Sequence, residues 1–202
     1  MMYWALFFVA FFPTLAMMIQ PGLWSNAITL FNILISGIVA FACYAPLAVY
    51  LDEMLNGEYT YLLDFVCIWG LFIITMIVCR TVTSLLSKTR MRFKNPIDPV
   101  GGPVLALVGA WAMASMVMAT LHTAPMPKDA FSGKLIHDDF ASASSMTSPD
   151  IGWLRFIQTV TQADAFGRGG GGFSAKAFVD IYADHRDKFG KAAPKWIVVR
   201  RR

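Results

Sequence analysis

The 202 residues suffice for one domain, or for one domain with an appendage. Hydrophobic residues make up 56% of them and charged residues only 15%. This balance disfavours a soluble core and a nucleic-acid-binding surface, and it predicts a protein whose first partner is the lipid bilayer. The formal net charge of +4 falls entirely after residue 122, so an apolar body carries a basic, polar tail.

Four apolar runs approach or exceed the roughly 20 residues that a helix needs to cross the hydrocarbon core. They cover residues 3–19, 27–50, 61–79 and 100–121. None alternates strictly with a period of two, which favours helices over barrel strands. The first run lacks a basic start and a small-residue cleavage site and is not predicted to be a signal peptide. We expect an all-α membrane protein: a four-helix transmembrane bundle over residues 1–122, followed by a polar tail over 123–202.

The loops predict the orientation, because short loops rich in Lys and Arg stay in the cytoplasm. The loop between the second and third runs carries three acids and no base. Residues 80–94, between the third and fourth runs, contain five bases and no acid; the bases are Arg80, Lys88, Arg90, Arg92 and Lys94. Apolar residues at helical spacing predict that the third helix continues to about residue 88. With four spans, both termini are then expected outside the cytoplasm.

Small residues recur every four positions in the fourth run. They form a ladder of Gly102, Ala106, Ala110 and Ala114, with Gly109 beside it. Helices in lipid associate through close backbone approach over small side chains. The ladder therefore predicts a helix-packing face.

The tail is predicted to contain one or two short amphipathic helices. Ser148, Pro149 and Asp150 form a helix start, with a hydroxyl cap, a proline in the first turn and an acid at the positive end. The apolar stripe that follows, which includes Trp153, fits the membrane surface, the bundle or, as we favour, a small extracytoplasmic domain. A second helix is expected over residues 174–189. The glycines at 169–172 are predicted to be a hinge rather than an anion-binding turn.

Residues that carry chemistry are few. The three cysteines lie singly within apolar runs and are predicted to be inert, and the three histidines are too far apart in sequence to form a metal site. His122 is expected to be solvated at the membrane interface. Asp64, near the start of the third run, is expected to reach polar solvent. No catalytic or dinucleotide-binding motif is present in the sequence, so we expect no enzyme, no cofactor and no identifiable small-molecule substrate.

Residues 98–110, DPVGGPVLALVGA, resemble the signature of the colicin V production (CvpA) family. In that family, an aspartate after a polar loop precedes small residues at steps of four in the last membrane helix. Residues 22–30, GLWSNAITL, are similar to the family's first loop running into its second helix. The chain departs from the family pattern in having no charge over residues 20–26 and alanines where glycines are usual. The resemblance implies a bacterial inner-membrane protein linked to colicin V production or export and to envelope maintenance.

Asp98 precedes the first turn of the fourth run, where a carboxylate can cap exposed N–H groups. An ion pair with Arg92 or Lys94 is an additional prediction. The leading hypothesis is a protein that acts by assembly with itself or with other membrane proteins. The alternative is a small transporter or channel whose path forms in an oligomer.

Overall fold

A computed structural model describes residues 2–55, 60–87, 97–124, 140, 147–162 and 172–192. Every element within these residues is helical. The helices are α1 (Met2–Met18), α2 (Leu23–Met54), α3 (Thr60–Leu86), α4 (Ile97–Thr120), α5 (Pro149–Gln162) and α6 (Ala175–Ala192), with a short 3-10 turn, Leu121–Thr123, after α4. The all-α fold class is thereby confirmed. The glycine hinge at 169–172 lies outside the described residues, apart from Gly172.

Three of the described helices are long and apolar enough to cross a membrane. They are Leu23–Met54, Leu62–Leu86 and Ile97–Thr123. Helix α1 is also apolar but has only 17 residues, a length of about 26 Å at 1.5 Å per residue. The predicted continuation of the third helix is present as far as Leu86.

Contacts at the start and near the middle of α2 establish how the helices run. The start of α2 contacts the start of α4 through Leu23 and Asp98, and Phe41 lies farther along in the same apolar cluster as Met116, so α2 and α4 are parallel. Helix α3 returns beside α2, because the Trp24 indole N–H donates to Ser87 at 2.9 Å.

Helix α1 runs antiparallel to α4. Met18, at the end of α1, packs against Gly109 of α4. A Cβ on Gly109 would lie 2.5 Å from the methyl carbon of Met18. Tyr3 and Phe7, at its start, share a buried cluster with Ala114 and Met118. The small residues of α4 therefore admit the bulky side chains of α1 at close range.

Helices α5 and α6 share one apolar core with α2, α3 and α4. Ile151, Leu154 and Ile157 on α5 are fully buried, and they belong to the same cluster as Phe41 of α2 and Phe178 of α6. Of the three environments considered for the α5 stripe, the structure places it on the helix bundle. Residues of the predicted membrane body (1–122) and of the predicted tail (123–202) therefore pack into one helix bundle.

The Trp153 side chain of α5 packs closely against α2. The indole of Trp153, 4% exposed, lies in a notch above Gly37, where a Cβ would come within 2.3 Å of the ring atom Cζ2. Glycine is needed at this position because any side chain on α2 would occupy the space of the indole. The notch fixes α5 against the middle of a membrane-length helix.

Candidate functional site

The first candidate site is the crossing of α2 and α4. The chain turns into α2 at Gly22, whose φ of +85° is a conformation that glycine adopts without strain. The backbone N–H of Leu23 then donates to Oδ1 of Asp98 at 2.9 Å. The Asp98 carboxylate was expected to cap α4. It instead accepts a hydrogen bond from a free backbone N–H at the start of α2.

A second hydrogen bond joins the same two helices. The side-chain amide of Asn26, fully buried, donates from Nδ2 to the carbonyl oxygen of Gly102 at 2.9 Å. A Cβ on Gly102 would lie 3.3 Å from the backbone nitrogen of Leu23. This is tighter than ordinary side-chain contact, so the absence of a side chain at Gly102 allows the two backbones to approach closely enough for both hydrogen bonds.

The two segments on which the family resemblance depends are therefore in contact, although about seventy-five residues separate them. A family described as Colicin V production protein matches residues 3–147. The chain belongs to this family. The match covers α1 to α4 and ends just before α5. Membership and the three long apolar helices identify a membrane protein associated with colicin V production. Comparisons with curated proteins and with solved structures found no match.

The ladder residues of this family member face the interior of the chain itself. Gly102 contacts the start of α2, Ala106 lies with Met18 and Ile33, and Ala114 lies with α1. All four ladder positions are buried. Their neighbours are helices of the same chain, so any contact with another protein must use a different face of α4.

The predicted basic residues lie mostly outside the described part of the chain. Arg80 is on the last turns of α3 and is exposed. Lys88, Arg90, Arg92 and Lys94 fall within residues 88–96, which are not among the described residues. The predicted ion pair of Asp98 with Arg92 or Lys94 falls there too and stays a prediction.

A second candidate site is a buried polar network at the opposite end of α4. Asp150, at the start of α5, accepts a hydrogen bond from the Tyr3 hydroxyl at 2.7 Å through Oδ1. Its other oxygen lies 2.9 Å from Nε2 of His122. The guanidinium of Arg186, on α6, donates to the backbone oxygen of His122 at 3.0 Å. The network therefore ties α1, α4, α5 and α6 together.

The electrostatics of this network favour the charged form of Asp150. Burial alone raises the pKa of this carboxyl, but the hydrogen bond and charge of His122, with the Tyr3 and Ile151 donors, lower it below its usual value. The network is closed to solvent, since Asp150 and His122 are each 1% exposed. Such an arrangement can hold helices together, and it offers no open face to a substrate.

His122 corrects the sequence interpretation. The prediction that interfacial solvent surrounds this side chain is wrong, because α5 and α6 cover it and Asp150 takes the place of water. Its Nδ1 has no hydrogen-bond partner among the described residues.

A third polar contact fastens α6 to α3. The hydroxyl of Tyr182 donates to Oδ2 of Asp64 at 2.8 Å, and burial, the charges of Tyr44 and Asp64, and hydrogen bonds to both raise the pKa of Tyr182. Asp64 is half-buried, and the tyrosine of α6 is a hydrogen-bond partner that the sequence did not indicate.

Sequence reasoning singled out His122 and Asp150 separately, as a solvated residue and a helix-start acid. It did not single out Arg186, and nothing in the local sequence pairs these residues. The one available signal was that all of them fall near the predicted ends of helices on the same side of the membrane. Among the described residues, no group of three or more His, Cys, Asp or Glu side chains could hold a metal ion.

Proposed function

We propose that this chain is a four-span bacterial inner-membrane protein that acts in colicin V production by assembly, without catalysing a reaction itself. The observation that carries the proposal is the α2–α4 crossing. The polar groups of its family-like segments, Asp98 and Asn26, are engaged in holding one helix against another. Their chemistry suits a structural junction on which partners assemble.

Two contacts support α1 as the fourth span. Its first turn is tied through Tyr3 to Asp150, which lies beside His122 at the end of α4. Shortly after its last turn come Gly22 and Leu23, which contact Asp98 and Gly102 at the start of α4. Helix α1 therefore runs alongside most of a membrane-length helix, and the outward side chains over residues 4–12 are apolar.

The orientation follows from the basic loop. If residues 80–94 stay in the cytoplasm, the α2–α4 crossing lies at the cytoplasmic face. The Tyr3–Asp150–His122 network then lies at the outer face, and so do both termini. The acids near the start of α3, including Asp64, fall on the side without the basic loop.

Assembly with partners would use the outer surface of α4, because the ladder is already occupied. Exposed apolar side chains recur along that surface at helical spacing: Val100, Val104, Leu107, Val108 and Trp111. In a bilayer, such a stripe contacts either lipid or another helix. We propose that part of it contacts a second copy or another membrane protein of the export apparatus.

Cysteine cross-linking in native membranes tests this proposal. Val104→Cys and Val108→Cys are expected to form intermolecular cross-links, whereas the matched outward position Ile74→Cys on α3 is not. Equal cross-linking at all three positions would indicate random collision and would contradict a specific α4 interface. The background for these variants should lack Cys43, Cys67 and Cys79, which are free.

Colicin V activity in the medium of a producing strain that lacks its own family member gives the functional readout. The chain is expected to restore secretion, and Val104→Arg, which places a charge on the proposed interface, is expected to reduce it at normal protein level. Ion flux through liposomes containing the purified chain would instead favour the oligomeric transporter or channel.

A further inference from the structure

A polar groove lies between α2 and α3, outside both candidate sites. Its cavity volume is about 270 Å³, just below the range of about 300–1,000 Å³ typical of small-molecule pockets. Its lining includes Trp24, Thr29, Asn32, Arg80, Ser84 and Ser87. The size suits the polar head of a ligand whose remainder lies elsewhere.

Two hydroxyl groups that line the groove can accept hydrogen bonds. The hydroxyl of Thr29 donates to the carbonyl oxygen of Ser25 at 2.9 Å, and that of Ser84 donates to the carbonyl oxygen of Thr81 at 2.8 Å. Both hydroxyls therefore keep oxygen lone pairs available to a ligand. A ligand that enters here must bring a hydrogen-bond donor.

Asn32 makes this requirement specific. Its side chain is 3% exposed, and its Nδ2 donates to Oγ1 of Thr83 at 3.2 Å. Its Oδ1 has no hydrogen-bond partner among the described residues. A buried acceptor without a partner is unfavourable, so a hydrogen-bond donor placed in the groove would stabilise this side chain.

Arg80 supplies a positive charge and hydrogen-bond donors at the exposed side of the groove. Its guanidinium is a permanent cation with five donors arranged to fit a phosphate or carboxylate. The groove thus combines a cation at its mouth with an unpaired acceptor in its wall. A ligand that carries an anion and a nearby hydrogen-bond donor satisfies both.

The position of the groove in the membrane selects the source of such a ligand. The groove runs from Trp24 and Ser87, at the neighbouring ends of α2 and α3, to Asn32, which is about 12 Å farther along α2 at 1.5 Å per residue. This is the depth of the headgroup and the first acyl carbons of one leaflet. An arginine and a tryptophan at this level are typical of the lipid–water interface.

We propose that the α2–α3 groove binds the headgroup of a glycerophospholipid. The phosphodiester lies against Arg80, and a headgroup donor, an ammonium or a hydroxyl, reaches Oδ1 of Asn32. Phosphatidylethanolamine and phosphatidylglycerol both carry such a donor. Phosphatidylcholine does not, because its nitrogen is fully methylated.

Native mass spectrometry of the full chain released from nanodiscs tests this site. With equal amounts of the three lipids, the chain is expected to retain phosphatidylethanolamine or phosphatidylglycerol at least fivefold more often than phosphatidylcholine. Arg80→Gln is expected to reduce retention of every lipid at least fivefold. Asn32→Leu is expected to abolish the discrimination against phosphatidylcholine.

Thr81→Val is the matched control on α3. This exposed hydroxyl donates to the carbonyl oxygen of Ile77 and is not part of the groove lining, so the variant is expected to retain lipid as the wild type does. Arg80 is exposed, and its substitution by Gln is therefore compatible with folding. Equal retention of phosphatidylcholine by the wild type, or unchanged retention by Arg80→Gln, would overturn the proposal.

Soluble ligands distinguish a lipid from a free phosphate. Inorganic phosphate and phosphoethanolamine at millimolar concentration are expected to leave the bound lipid in place, because they lack the acyl chains that hold the headgroup at this depth. Displacement of the lipid by either compound would assign the groove to a soluble phosphate and contradict a lipid site.

Discussion

The notch at Gly37 predicts a large effect from the smallest possible substitution. A methyl group at this position would lie 2.3 Å from Cζ2 and 2.9 Å from Cη2 of Trp153, well inside van der Waals contact. The indole is 4% exposed, so most of its surface is in contact with other residues. Overpacking of this kind typically costs about 1–3 kcal/mol. Gly37→Ala is therefore expected to destabilise the docking of α5 by about that amount.

A double-mutant cycle tests the steric explanation. Trp153→Leu alone is expected to destabilise the protein, because it leaves a cavity beside the notch. In the double variant, the alanine methyl occupies part of that cavity. The double variant is therefore expected to lose about 0.5–3 kcal/mol less stability than the sum of the two single variants, the usual range for residues in contact.

Thermal unfolding in detergent reports the global stability. Proteolysis at Arg155 on α5, measured separately, reports whether α5 is locally released. Gly70→Ala on α3 is the matched control, because a Cβ there would meet nothing within 4 Å, and it is expected to leave the unfolding temperature unchanged or raise it. An unchanged Gly37→Ala protein, or strict additivity in the cycle, would refute the packing of Trp153 against Gly37.

Three further predictions concern the polar contacts. Tyr3→Phe removes one hydrogen bond to a carboxylate and is expected to cost about 1.5–3 kcal/mol in thermal unfolding, whereas Asp150→Ala also strands His122 and is expected to cost more; equal losses would contradict the shared network. Because the folded-state pKa of Asp150 is lowered, its stabilisation is present above about pH 4 and is lost as the pH falls further. Asp150→Asn should flatten that acid limb of the stability profile measured between pH 3 and 5. Asp98→Ala is expected to cost about 0.5–2 kcal/mol through loss of the cap on Leu23, whereas Asp98→Asn, which keeps an acceptor oxygen, should unfold within a few tenths of a kcal/mol of the wild type.

The sequence predicted where the helices lie better than where they begin and end. Hydropathy placed the second helix at residues 27–50, whereas α2 extends over Leu23–Met54. Its start is determined by the backbone conformation of Gly22 and by Asp98, which lies on another helix. Its end passes Asp52 and Glu53, charged residues that a helix tolerates once it has left the hydrocarbon.

Some residues of the candidate sites, such as Asp98 and Asp150, were visible in the sequence, but their partners were not. The period of four in α4 predicted a packing face, since that spacing places residues on one side of a helix. A period carries no information about which helix covers the face. Asp98 likewise had the chemistry of a cap, and whether it caps α4 or α2 depends on the crossing of two helices about seventy-five residues apart.

The C-terminal helices change how the role of the tail can be tested. The match to the Colicin V production family ends at residue 147, yet Trp153, beyond it, fills the notch at Gly37 within the matched part. Deleting residues 123–202 would therefore uncover His122 and the notch at Gly37, and it would perturb the membrane helices together with any partner surface. A substitution on the outer face of α6 separates these effects. Ile181 is 53% exposed, so Ile181→Asp should leave unfolding unchanged, and loss of colicin V secretion in that variant would place a partner contact on α6 itself.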